Sequence, residues 1–195
     1  MPGAPAAVLD ANVLFPFQLR NLLLHLAVDG LFQPLWSEQI VDECVRNLRS
    51  NAGLTDAQCT HLVGQMRAGF PEAWSEGFDG AANRLGPLPD EGDRHVIALA
   101  VHQEAEFIVT RNLKHFPSDV LRPLRIRPID PDEFIVRLWR RNGPAVLCAA
   151  DRHRLSLRRA PLTPERYLES LLTHAGLPRT VRRLAAAGFA ATLAA

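Results

Sequence analysis

Cysteine is scarce in this chain and badly placed for pairing. Cys44, Cys59 and Cys148 are odd in number, far apart, and without a CxxC or a nearby histidine pair. That sets aside both a disulfide framework and a zinc knuckle, and leaves reduced structural thiols. Long apolar runs are missing too. Nothing approaches the ~20 residues of a membrane-spanning helix, and Met1 to Leu9 carries neither the basic start nor the apolar stretch of a secretory signal. The expectation is a cytoplasmic protein with no membrane association. Internal repeats and low-complexity linkers are absent as well, which excludes a solenoid.

A chain of 195 residues fits one moderate domain, or one domain plus a helical appendage, and buries roughly 70% of its unfolded surface. Its near-balance of charge conceals an asymmetry. Residues 1–120 hold 8 Lys and Arg against 15 Asp and Glu, and residues 121–195 hold 14 against 6. An acidic body with a basic end suits a carboxylate-rich site beside a phosphate-binding surface, or equally a fold that pairs with itself.

The local pattern divides in the same way. AAVLD at Ala6–Asp10 predicts a buried parallel strand with an acid at its carboxyl end. Phe17–Asp29 has helical spacing and Gly30 ends it; Phe32–Trp36 predicts a second strand, weakened by Pro34. Ser37 is placed to cap a helix over Glu38–Arg49, and Thr55 with Gln58 forms a capping box before a helix reaching Ala68. Phe70–Pro89 is loop with at most one short helix. DRHVIALAVH starting at Asp93 predicts a helix, FIVT at Phe107–Thr110 a strand, and Ile126–Ile129 a last strand. From Pro131 onward only helices are expected, over Asp132–Arg141, Pro144–Leu157, Pro164–Ala175 and Arg179–Ala194. The domains are therefore expected at 1–130 and 131–195.

In an open α/β sheet, ligands bind where strand ends meet helix starts. Asp10, Asp90, Asp93 and the segment from Thr110 to Asn112 fall there, and Glu43 lies mid-helix beside Ile40 and Val41. Taken singly, each acid has an ordinary reading: Asp10 as a turn acceptor, Asp93 as a helix cap, Glu43 as the partner of Arg46 three residues on. Taken together, three or four carboxylates at one sheet edge repel one another unless a cation neutralises them. Hard oxygen ligands suit Mg²⁺ or Mn²⁺ rather than zinc.

LDANVL at Leu9–Leu14, Glu43 within EQIVDECVRNL, DEGDRHVIALA at Asp90–Ala100 and IVTRNLKHFP at Ile108–Pro117 resemble, in order and spacing, the four signature segments of the PIN domain. The pair DRHVIALA and TRNLKHFP is especially similar to bacterial toxins of the VapC type with a helical C-terminal extension. The resemblance covers about residues 5–130. It implies an α/β three-layer sandwich, with a central parallel sheet flanked by helices and an all-helical extension, and a Mg²⁺- or Mn²⁺-dependent endoribonuclease. Asp10, Glu43 and Asp93 match the three core acids of the motif, Asp90 an additional acid, Asn112 the fourth ligand position and Thr110 an orienting hydroxyl. A cognate antitoxin and a homodimer are implied as partners. One departure stands out: relatives commonly carry an acid where this chain has His115, which is open to reading as a phosphate contact or as an inert surface residue.

RNA needs positive charge beside such a site. Arg94, Arg111 and Lys114 lie close in sequence to the acids, and Arg152, Arg154, Arg158 and Arg159 form a basic cluster with His153 among them. That cluster either grips RNA or covers the acidic body. The rival functional reading is a non-catalytic PIN-like RNA-binding or regulatory module. A haloacid-dehalogenase-like phosphatase fits poorly, because Asp10 is followed by Ala11 and Asn12 rather than a second Asp, and a phosphoaspartyl receiver fits poorly, because the N-terminal run has no acidic pair.

Overall fold

The computed structural model describes residues 3–82, 85–86, 88–158 and 161–189. Among them the chain forms two compact units. One comprises residues 3–15 and 33–129, the other residues 16–32 and 130–189.

The first unit is built on a four-stranded sheet: β1 (Ala6–Leu9), β2 (Gln33–Leu35), β3 (Phe107–Val109) and β4 (Arg127–Ile129). All pairings are parallel and the order is β2-β1-β3-β4. The central strands are continuous apolar runs, and Ala7, Val8, Leu9, Phe107, Ile108 and Val109 are all fully buried. That is the signature of strands covered on both faces. The expected strand over Ile126–Ile129 begins one residue later, and the acid and hydroxyl that end β1 and β3 fall just outside the strands proper. They are still held by the ladder. Asp10 N–H donates to Val109 O at 3.1 Å and Thr110 N–H to Ile129 O at 3.0 Å, so both side chains leave the sheet in fixed register at its carboxyl edge.

Helices of this unit surround the sheet: α1 (Ala11–Leu14), α3 (Glu38–Ala52), α4 (Asp56–Gly69), α5 (Asp79–Ala82), α6 (Arg94–His102) and α7 (Ser118–Leu121). The single-turn α1 had no signal in the apolar spacing. Ser37 caps α3, its hydroxyl accepting from Ile40 N–H, and the Thr55–Gln58 capping box opens α4. The helix α3 runs three residues beyond its expected end, to Gly53 at φ +65°, where glycine takes the left-handed turn at least cost. The helix α6 packs on β1 and β3 with His95 to Ala100 all buried, which fixes the position of its first turn against the strand ends.

The second unit consists of α2 (Phe17–Val28), α8 (Pro131–Ser156), α9 (Pro164–Thr173) and α10 (Pro178–Ala186). Residues 16–32, expected with the N-terminal body, therefore pack with the C-terminal helices: α2 lies along α8 and Phe32 meets Phe134 edge-on at 5.0 Å. The two helices expected before and after residue 142 form one run broken at Asn142 (φ −155°, ψ 78°), whose side chain accepts from Ala145 N–H and so restarts the helix. The Asp132 carboxylate caps α10 through Arg179 N–H and Thr180 N–H, both at 2.8 Å. That last helix ends at Ala186, and Gly188 turns left-handed at φ +76°; residues 190–194 of the expected helix lie outside the described residues. No helix among the described residues is long and apolar enough to cross a membrane.

Candidate active site

The strand ends gather one hydrogen-bonded group. Thr110 Oγ1, fully buried, donates to Asp10 Oδ2 at 2.6 Å. Asn12 Nδ2 donates to the same oxygen at 2.5 Å and to Thr110 Oγ1 at 3.1 Å, while its carbonyl accepts Arg111 N–H at 3.0 Å. Asn112 N–H donates to Thr110 Oγ1 at 3.0 Å. One oxygen of Asp10 is thus occupied by two side-chain donors. Burial pushes the Asp10 carboxyl above the usual carboxylate range; the Thr110 bond opposes the shift and the charge of Asp93 adds to it.

Asp93 stands at the start of α6, yet its side chain makes no capping bond. The helix-cap reading of this residue therefore fails, and the carboxylate is turned to another task. Asp90 accepts Gly92 N–H at 2.9 Å and shapes the short 3₁₀ turn Glu91–Asp93. Glu43, on α3, does approach Arg46, but at 3.9 Å and with only 28% of its side chain exposed. Burial raises its carboxyl, Asp10 raises it next, and Asp93 and Asp90 add to the effect against Arg46. Four acids from three separate stretches of chain feel one another's charge. Among the described residues the sharpest cluster is Asp90, Asp93 and His115, which each offer one ligand atom within 4.8 Å of the others.

His115 is neither an isolated surface side chain nor far from the acids. Its Nδ1 lies 2.8 Å from Asp93 Oδ2 and 3.4 Å from Asp90 Oδ2, so it stands where a fifth carboxylate would sharpen the repulsion. His95 was not anticipated. Its Nδ1 bonds Gly92 O at 2.8 Å, leaving Nε2 at 3.6 Å from Glu43 Oε1. Burial holds the imidazole below its ordinary pKa, partly offset by the Gly92 bond and Asp93. Asn12 was also missed, although a short polar side chain two residues past a strand-end acid is a signal for local bonding.

The basic residues divide sharply. All five N–H donors of Arg94 are engaged, by Glu91 and by the carbonyls of Ala82, Leu85 and Gly86; the side chain anchors the preceding loop instead of facing a ligand. Arg152 pairs with Asp29, and Arg154 with Asp151 and Leu162 O, so both brace the second unit. Asn112, Arg111, Lys114 and Arg158 are exposed. Arg159 lies outside the described residues. Within the basic cluster His153 is fully buried, bonded to Tyr167 OH at 2.9 Å.

A parallel sheet with coupled acids at its carboxyl edge defines a class of sites suited to divalent cations. The family model described as PIN domain matches residues 6–114 and the model described as VapC50 C-terminal domain matches residues 131–186. The chain belongs to the PIN-domain family. A Mycobacterium tuberculosis protein named "Putative ribonuclease VapC50" is 57% identical over 44 residues, which make up 23% of this chain and 26% of that protein. The match thus spans about a quarter of the relative's length. No solved structure matches the chain.

Proposed function

We propose that the protein is a divalent-metal-dependent endoribonuclease acting in the cytoplasm, the toxin of a toxin–antitoxin pair. The observation that carries the reading is the coupling of Asp10, Glu43, Asp90 and Asp93, which lifts the Asp10 and Glu43 carboxyls by burial and by mutual charge. A set of anions gathered around a buried Asp10 is costly unless a cation offsets it. The oxygen donors fit a hard divalent ion, Mg²⁺ or Mn²⁺.

Asp10, Glu43 and Asp93 would hold the ion, with Asp90 and Asn112 as further ligands. When bound, a divalent cation supplies a water of lowered pKa and positive charge against the phosphate. The chain's own groups do the rest. Thr110 and Asn12 lock one oxygen of Asp10 and so fix the carboxylate at the strand end. His115 holds Asp93 and Asp90 together, and its imidazole N–H donates to Asp93. Arg111 and Lys114, which follow Thr110 directly, bring positive charge to the substrate phosphates, while Arg158 and Arg159 add backbone grip. A homodimer and an antitoxin peptide entering the acidic site belong to the same reading.

Retention of all four acids speaks against the non-catalytic RNA-binding alternative. The test is cleavage of single-stranded and structured RNA by the pure protein with Mn²⁺, set beside Asp10→Asn and Asp93→Asn. Metal-dependent cleavage by the wild type alone is expected. Equal activity in all three, or none in the wild type at any divalent ion, rejects the proposal.

A further inference from the structure

The opposite end of the sheet carries a second charged feature. Glu106, Ser118, Arg122, Arg125, Ile126, Arg127 and Pro128 line an open pocket of about 440 Å³, within the range of roughly 300–1,000 Å³ that small-ligand clefts occupy. Three of these seven are arginines and one is an acid. No ion pair joins Arg122, Arg125 or Arg127 to a carboxylate among the described residues, and all three are exposed. The guanidinium carbon of Arg127 lies 6.0 Å from the centre of the buried Phe107 ring, and Ile126 and Pro128 supply the apolar part of the lining.

The backbone adds an independent observation. After α7 the chain closes through Ile126 N–H to Leu121 O at 3.1 Å and Arg125 N–H to Arg122 O at 3.0 Å, a helix ending of the Schellman kind. The residue that turns left-handed there is usually glycine. Here it is Arg125, at φ +60°. The fold would accept a glycine more easily, so the arginine is explained by what its side chain does.

We propose that this pocket binds a phosphate of the RNA backbone, away from the scissile bond. The proposal rests on the nuclease reading for its substrate and extends it to a new site. Guanidinium forks match phosphate oxygens in paired hydrogen bonds. The pocket lies in the same unit as the acids: Arg127 pairs with Phe107, three residues before Thr110 on β3, a separation of about 10 Å along the strand at 3.3 Å per residue.

Binding of fluorescein-labelled oligouridylate to the full chain, in EDTA and over a salt series, tests this, with polyglutamate as the competing polyanion. Arg125→Gly should weaken RNA binding several-fold while its melting temperature stays level or rises. The triple variant Arg122→Ala, Arg125→Gly, Arg127→Ala should lower the slope of log affinity against log salt by about 0.7, the loss of one phosphate contact on a single strand. An unchanged slope, or a loss of polyglutamate binding as large as that of RNA, overturns the assignment, the second outcome pointing to an acidic protein partner. Because binding is read without metal, failure of Mn²⁺-dependent cleavage would remove the nuclease reading and leave this result standing on its own.

Discussion

Asp10 shows how much of the site depends on atoms that no motif names. Its position was legible, because an acid after a short apolar run must leave the sheet at the carboxyl edge. The bonds that aim it were not, since Thr110 lies 100 residues away in the chain and spacing says nothing about which hydroxyl meets which carboxylate. Thr110→Val should raise the Asp10 carboxyl further, because the bond it removes favours the ionised form; carbonyl-carbon NMR titration would read the change. Asn12→Ala should weaken Mn²⁺ affinity about 10- to 100-fold, the usual range when a residue orienting a metal ligand is lost. Calorimetric titration giving an unchanged affinity would leave Asn12 a mere turn residue. His115 teaches the reverse lesson: a departure from the family pattern, noticed in sequence, proved to sit against Asp93 and Asp90.

At the scale of elements, the type of each segment followed from local chemistry and its limits from single residues. The capping box at Thr55 and the serine cap at Ser37 stand as expected because both bonds are made within three residues. The extra turn of α3 depended on whether Gly53 turns left-handed, which a lone glycine does not announce. Gly53→Ala, forced to φ +65°, should destabilise the protein by about 1 kcal/mol, measurable by urea unfolding. The assignment of α2 to the C-terminal helices was beyond reach for another reason: an apolar helical stripe states that it is buried, not against what. By contrast α6 was legible throughout, being apolar on nearly every face between a parallel strand and its neighbour. Leu99→Ala there should cost about 2–5 kcal/mol.

Across the whole molecule, buried groups respond to acid with opposite signs. Asp10 and Glu43 have raised carboxyl pKa values in the folded state, so the folded form binds more protons than the unfolded one. Their contribution is present at pH below the ordinary carboxylate range and is lost as pH rises through the raised values. His153, pushed down to about 3 by burial and then by His25, behaves the other way. Its contribution is complete above the ordinary histidine value and is lost as pH falls toward 3. Melting temperatures in EDTA should therefore pass through a maximum in mildly acid solution, and His153→Gln should flatten its acid side. A bound divalent ion should remove the alkaline-side loss, since it favours ionised Asp10 and Glu43. The most direct test of the shared-cation account is the melting temperature of the whole chain during a Mn²⁺ titration at neutral pH, with Asp93→Asn alongside. The wild type should be stabilised, by about 2.7 kcal/mol at 100 times the dissociation constant, with the variant shifted far less. An identical response of the two proteins, or no shift in either, would contradict the claim that these acids hold one ion between them.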